Sequence, residues 1–394
     1  MTPNQKPQFI IIFLTIFIDL LGFGLIIPIV PFYIEGFTND IAQIGRILAT
    51  MITAYSLMQF IFAPIWGRIS DRIGRRPIIL MSLAGTAITH LIFALSTELW
   101  MLYVSRILTG IFAATISTAA AYISDITDES NRTKGMGLVG AAFGLGFILG
   151  PATGGILSAA GGYRVPLFGA AILSFLALIF AYFKLPESVD KSAYIPGDYR
   201  RYDIKQIFSA LLNPNLGLLF SIFFMVTLSF ANLETIFALF MEIRFSFDAL
   251  HTGYVFGFIG ICSALMQGVF IGRLSKRFGE KRLITLSTLM ISSSFILLAI
   301  LPELFPFILA TGILALGIGM HNPSVLSLVS KKAKAGERGS VLGINQSFSA
   351  LGRVLGPLWA GFFFDYIGPG FPLISAGILV FFAFLLSFRL HKKK

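Results

Sequence analysis

Apolar residues in this chain gather into blocks of about 20, the length an α-helix needs to cross hydrocarbon, and short polar stretches separate the blocks. The pattern predicts twelve membrane-spanning helices over 9–33, 43–66, 77–96, 100–125, 135–160, 164–184, 214–240, 250–271, 283–300, 303–329, 339–365 and 370–389. The first block is longer than the apolar part of a secretory leader, which reaches about 15 residues, and Asp19 interrupts it. It is therefore expected to remain as the first helix. The fold class this implies is an all-α membrane protein.

Composition agrees with that reading. Hydrophobic residues make up 56% of the 394 positions and charged residues 12%, with a mean hydropathy of +0.84. A soluble domain carries roughly 25% charged residues. Half of that leaves too little polar surface to cover a water-soluble globule, so the outer face must meet lipid. The 41 phenylalanines suit such contact. Cys262 is the sole cysteine and lies inside an apolar block, which excludes a disulfide framework and a metal site built on thiolates.

A net charge of +11 raises nucleic acid as a partner, and the placement of the cations removes it. Of the 30 lysines and arginines, only Arg46, Arg106, Arg164, Arg244 and Arg353 fall outside one set of alternate connections. That set comprises the N-terminus, 67–76, 126–134, 184–205, 272–282, 330–338 and the tail from Arg389. Basic connections stay on the cytoplasmic side. The expectation is a multi-pass protein of a cell membrane, a bacterial inner membrane, with both termini and the central loop in the cytoplasm and no nucleic-acid partner.

Two internal matches divide the chain. GRISDRIGRRPIIL at 67–80 and GRLSKRFGEKRLIT at 272–285 share six of fourteen residues, and each follows the second span of its half. GLGFILGPATGG at 144–155 and ALGRVLGPLWAG at 350–361 share six of twelve at nearly the same offset. The expected organisation is a six-helix bundle over 1–185, a polar cytoplasmic loop over 186–213 and a second six-helix bundle over 214–394. Parallel halves of this kind place a substrate site near the bilayer midplane at the repeat interface.

The run Gly67-Arg68-Ile69-Ser70-Asp71-Arg72-Ile73-Gly74-Arg75-Arg76, the fifth-span run Gly146-Phe147-Ile148-Leu149-Gly150-Pro151-Ala152-Thr153-Gly154-Gly155, and the first-span run from Asp19 to Pro28 carry a resemblance. So do Tyr103 to Gly110 and Tyr122 to Asp125 on the fourth span. On these residues the chain resembles the major facilitator superfamily, in its twelve-helix drug/proton antiporter branch, and is similar to tetracycline-type exporters. The resemblance implies two pseudo-symmetric bundles, exchange of a proton for a small amphipathic molecule, and an antiporter motif at Gly146, Gly150, Pro151, Gly154 and Gly155. It also has departures. Tetracycline exporters carry an acid in the third span, where this chain has Thr89 beside His90, and an Asp in the ninth, whereas 283–300 contains no acid. Tetracycline itself is thus not the expected cargo, and Glu234 is expected to take over part of the proton work.

The same residues have physical readings of their own. In the basic loop, Gly67 and Gly74 permit a tight turn, while Asp71 among Arg72, Arg75 and their neighbours can make charge-assisted contacts, with Asp125 a partner for an arginine. These residues, with Arg353, form an expected cytoplasmic gate. The glycines of the fifth span recur at spacings that let helices approach closely, and Pro151 adds a bend.

Charges inside hydrocarbon are expensive and must be paired or face a cavity. Asp19, Glu234 and Arg106 are accordingly the expected proton-coupling residues. Arg106 either anchors an anionic group of the substrate or holds a carboxylate ionised. Arg353 either belongs with them or ties its span to Asp71 or a cytoplasmic carbonyl. Tyr55 and Gln59 share one helical face. With Phe23, Phe230, Phe237, Gln267, His321, Asn322, Asn345, Gln346 and Ser349 they form the expected substrate cavity. No metal is expected, since the histidines lack ligand spacing, and no GxxxxGK[ST] loop supports ATP-driven pumping. The sequence thus points to a transporter and not an enzyme, monomeric, with no cofactor beyond the proton as coupling ion, and with protons, a small molecule and lipid as partners. A proton-coupled nutrient importer is the second reading. A non-transporting receptor, in which the intramembrane charges are dispensable, is the third.

Overall fold

A computed structural model of the chain describes residues 5–38, 40–113, 115–127, 129–188, 214–333 and 338–391, and every regular element among them is helical. In chain order these are α1 (Gln5–Ile26), α2 (Val30–Ile34), α3 (Ile41–Ile73), α4 (Arg75–Ala94), α5 (Leu99–Phe112), α6 (Thr115–Ile126), α7 (Glu129–Gly161) and α8 (Arg164–Lys184). They continue with α9 (Pro214–Phe245), α10 (Ala249–Leu265), a π-helical turn over Met266–Phe270, α11 (Ile271–Phe278), α12 (Glu280–Ile300), α13 (Leu304–Lys332), α14 (Arg338–Tyr366) and α15 (Phe371–Ser387). Beyond Ser188, the expected central loop lies outside the described residues.

Among the described residues, eleven stretches are long and apolar enough to cross a membrane. The predicted eleventh span, α14, is 29 residues long but is not among them. Asn345, Gln346, Ser349 and Arg353 dilute its hydropathy, as befits a helix with one polar face. Around the bundles, Ile172, Phe183, Phe305 and Phe362 stand exposed, an apolar surface suited to lipid.

Three local features differ from the sequence pattern. The helix expected to end at 66 runs on through Ile73, so the turn belongs to Gly74 alone (φ 112°), and Gly67 sits within α3. Its repeat mate behaves alike: the expected loop 272–282 is mostly α11, and Gly279 turns the chain (φ 74°). The fourth span is broken between Phe112 and Thr115. There Ser82 on α4 donates to the Phe112 carbonyl and pairs with the Thr115 hydroxyl at 2.8 Å.

The chain forms two compact units. Unit 1 contains Met1–Asn39, Ala54–Gly197 and Phe247–Gly257; unit 2 contains Asp40–Thr53, Asp198–Ser246 and Phe258–Lys394. Within unit 1, α1 packs on α7 and α8, and α4 packs on α5 and α8. Within unit 2, α9 packs on α14 and α15, and α12 packs on α13 and α15. The internal repeat read from two short matches thus extends to the packing scheme of each unit.

Close helix crossings explain the matched glycines. A Cβ on Gly150 of α7 would lie 2.6 Å from the Gly24 Cα of α1, and one on Gly24 would lie 2.8 Å from the Gly146 carbonyl oxygen. In unit 2, a Cβ on Gly356 of α14 would lie 2.7 Å from the Leu228 carbonyl oxygen of α9. Backbone meets backbone at both crossings, which only small residues allow. Gly155 and Gly253 bring α7 against α10 inside unit 1 in the same way, at 2.7 Å from the Ala249 oxygen and 2.5 Å from the Pro151 oxygen.

Candidate functional site

Unit 1 gathers the polar groups of its spans around the break in the fourth span. Asp19 is half-buried on α1, with its Oδ1 shielded and lacking a hydrogen-bond partner, and its carboxyl is within hydrogen-bonding reach of Thr115. Arg106 on α5 is 6% exposed, and its guanidinium carbon lies 4.2 Å from the centre of the Phe93 ring on α4. Its Nε and Nη2 have no hydrogen-bond partner, and the charge of Arg106 reaches both Tyr55 and His90. Gln59 donates to the Tyr55 hydroxyl at 3.3 Å, and Phe23 stacks on the Tyr55 ring with centroids 6.0 Å apart. Asp19, Phe23, Tyr55, Gln59 and Arg106 therefore share one unit. Asp19 and Arg106 form no ion pair, so the carboxyl is not tied to a guanidinium.

His90 and Thr89, where the sequence departs from tetracycline exporters, face into this unit. His90 is fully buried with Nδ1 3.4 Å from the Ser174 hydroxyl, and the Thr109 hydroxyl donates to the Thr89 hydroxyl at 2.9 Å.

Unit 2 places Glu234 half-buried on α9, in the field of Arg353 on α14 but without an ion pair to it. Leu21 on α1 and Leu228 on α9 mark corresponding crossings, since Cβ atoms on Gly146 and Gly150 would meet the backbone N and O of Leu21 as those on Gly352 and Gly356 would meet the backbone N and O of Leu228. Asp19 precedes its crossing by two residues and Glu234 follows its own by six. In register terms the two acids thus differ by roughly 12 Å of helix rise.

The remaining expected cavity residues in unit 2 scatter. Asn345 is fully buried with neither side-chain polar atom partnered, and Ser349 is buried a turn further along α14. His321 is enclosed, stacked on Phe223 with Nδ1 3.2 Å from the Ser287 hydroxyl. Phe237 is fully buried against Phe307, centroids 6.3 Å apart. Phe230 and Asn322 are half-buried, and Gln346 and Gln267 are exposed, Gln267 within the π-helical turn.

At the basic turn of unit 1, Arg75 is the hub. Its Nη1 meets Asp71 at 2.5 Å and Ser70 at 2.6 Å, and its Nε meets Asp125 at 2.9 Å. Glu187 closes the start of α4, accepting from the backbone N–H of Arg75 at 2.8 Å and of Arg76 at 3.3 Å. A carboxylate there also complements the helix dipole. The second unit keeps part of this arrangement with its charges exchanged. Lys276 stands where Asp71 does, Glu280 where Arg75 does, and Glu280 pairs with Lys331, next to the position matching Asp125. Ser275, the mate of Ser70, donates to Glu280 at 3.4 Å, and Ser327 donates at 3.0 Å. Glu187, Glu280 and Lys331 were not among the expected site residues. The exchange of acid for base in the aligned runs was the available signal.

The Major Facilitator Superfamily profile matches residues 12–271 and 219–394. A tetracycline resistance protein, class D, from Salmonella ordonez is 35% identical over 92% of this chain and 90% of its own length. Multidrug resistance protein 2 of Bacillus subtilis is 30% identical over 99% of this chain and 97% of its own. Among solved structures, the human organic anion transporter MFSD10 superposes with a TM-score of 0.74 at 25% identity, covering 98% of this chain and 100% of that one. With two helical units of repeated packing, and relatives matched over nearly the whole length, the chain belongs to the major facilitator superfamily.

Proposed function

We propose that this multi-pass membrane transporter is a proton-coupled antiporter that exports a small amphipathic molecule by alternating access. One observation carries the reading: each unit holds a carboxyl on its first long helix, Asp19 on α1 and Glu234 on α9, and neither is locked in an ion pair. A carboxyl in hydrocarbon without a bound cation exchanges its proton when its surroundings change. Arg106, with unpartnered donors over Phe93, is the group that senses the charge state of the substrate or of Asp19. The names of the relatives, covering tetracycline, multidrug and organic anion transport, support an amphipathic cargo for this chain. Their departure at Thr89 points away from tetracycline itself.

The protein works as a monomer in a bacterial inner membrane, with the Arg75 and Glu280 turns, and both termini, in the cytoplasm. In this reading the two turns hold one access state and release it in the other. Proteoliposomes with an imposed pH gradient test the coupling. Ethidium or tetraphenylphosphonium added to the wild type dissipates the gradient, and Asp19→Asn and Glu234→Gln each abolish the response. Unaltered proton movement in both variants would defeat the assignment.

A further inference from the structure

Unit 1 holds a cavity that neither the proton pathway nor the basic turn uses. It lies where α1 passes into α2, α4 into α5 and α7 into α8, the end of the unit remote from the Gly74 turn. Its volume is about 680 Å³, within the range of small-molecule sites. Phe32, Tyr33, Phe37 and Tyr163 supply aromatic walls, and Glu35 and Arg164 supply one charge of each sign.

The walls are fixed. Phe32 and Tyr163 stack with centroids 5.7 Å apart, and Tyr33 meets Phe37 edge-on at 5.8 Å. The Tyr33 hydroxyl is held 3.1 Å from the carbonyl of Ser96, which also accepts Arg164 Nη2 at 3.3 Å. Pro28 and Pro31 fold the chain after α1 into the short α2, and this presents Glu35 at the cavity.

The two charges line one cavity and yet form no ion pair with each other or with another described residue. The Glu35 Oε1 is shielded from the surface with no hydrogen-bond partner, a costly state for a carboxylate oxygen. An ammonium group satisfies it, and aromatic faces favour a cation on their own account. Arg164 spends one donor on Ser96, and its remaining donors suit an acidic oxygen. A lone cation would meet the guanidinium, and a lone anion would meet the carboxylate. We propose that this cavity binds a zwitterionic amphiphile, its ammonium on Glu35, its acidic group on Arg164 and its apolar body between the Tyr163 and Tyr33 faces. The site goes beyond the transport reading and needs neither Asp19 nor Glu234.

Three dansyl probes of similar body and different charge test this on the full-length protein in nanodiscs: Nε-dansyl-lysine (zwitterion), dansylcadaverine (cation) and dansylglycine (anion). Saturable fluorescence enhancement is expected for the zwitterion above protein-free nanodiscs, with weaker binding of the other two. Glu35→Gln and Arg164→Gln each weaken the zwitterion about tenfold or more, and Arg164→Gln narrows its lead over the cation. Tyr163→Ala, at an exposed position, weakens all three probes and serves as a second reading if Glu35→Gln folds poorly. Nanodiscs of phosphatidylglycerol alone, against others containing phosphatidylethanolamine, separate two sources of the same chemistry. Competition by phosphatidylethanolamine identifies a lipid headgroup, and unchanged binding identifies a free solute. Equal binding of the three probes, or zwitterion binding indifferent to both charge variants, overturns the proposal. So does loss of binding in Asp19→Asn, which would assign the signal to the transport site.

Discussion

Replacing Gly150 by alanine adds one methyl group at the tightest part of the α1–α7 crossing. That carbon would lie 2.6 Å from the Gly24 Cα and 2.8 Å from the Gly24 carbonyl carbon. Carbon atoms rest at about 3.5–4.0 Å, so the helices must part by roughly 1 Å. Backbone faces backbone, and no rotamer change relieves the clash. Overpacking of this kind costs about 1–3 kcal/mol. Gly144 lies on the same helix, and a Cβ there meets nothing within 4 Å. Alanine at 144 therefore gains only the helix preference over glycine, about 1 kcal/mol. The two variants should differ by about 2–4 kcal/mol from identical chemistry. Cys262, the single and half-buried thiol, reports unfolding when the purified protein is heated with a thiol-reactive coumarin maleimide. Gly150→Ala should melt several degrees below wild type and Gly144→Ala at or above it. Equal melting of the two variants would refute the crossing as the reason for these glycines.

The exchanged charge networks should show as coupling energies. Double-mutant cycles on Arg75 with Asp125, and on Glu280 with Lys331, are each expected to give about 1 kcal/mol or more in thermal stability, and Glu280→Lys with Lys331→Glu should recover most of the loss seen in either single variant. Asp248 caps α10, accepting from the His251 backbone N–H at 2.9 Å and the His251 ring at 2.6 Å. Partial burial pushes its carboxyl up, but the bonds from His251 and Leu250 outweigh it and hold the carboxyl below its ordinary range. Its contribution is therefore complete above the unfolded-state value and fades as the pH falls through the folded-state value. Asp248→Ala should cost about 1 kcal/mol near neutrality, and the difference from wild type should shrink in acid melts. Single cysteines introduced into a Cys262→Ser background at Ser188 and Thr97 should label from opposite sides, Ser188 only in inverted vesicles; labelling of both from one side would contradict the alternation of spans.

Much of the fold was legible in the chain because membrane insertion writes itself in one dimension. Twenty apolar residues report a span without any knowledge of packing. The repeat was legible for a related reason: Gly150 and Gly356 sit at backbone crossings where the residue type is forced. What escaped depends on the third dimension. Gly67 looked like a turn residue, yet only Gly74 adopts positive φ, because α3 continues past the point where its hydropathy falls. The break at Phe112–Thr115 carries no proline or glycine at its centre and is stabilised from another helix by Ser82. Glu187 reaches the start of α4 from more than a hundred residues away, a distance no local pattern encodes.

The candidate site was legible in part. Asp19, Arg106 and Glu234 stood out because charge is rare in hydrocarbon, and Tyr55 with Gln59 because they share a face. Phe237 and His321 could not be sorted from core residues, since an aromatic ring suits a cavity wall and a packed interior equally well. In the folded chain both are enclosed within unit 2.

Proton release on substrate binding tests the central claim most directly. Purified protein in weakly buffered detergent, with a pH-sensitive dye, is mixed with tetraphenylphosphonium or ethidium, whose fixed charges carry no titratable proton of their own. The account predicts acidification that saturates with binding in the wild type and is lost when Asp19→Asn and Glu234→Gln are combined. Proton uptake on binding would mark a symporter, and saturable binding with no proton exchanged at any pH would contradict the account outright.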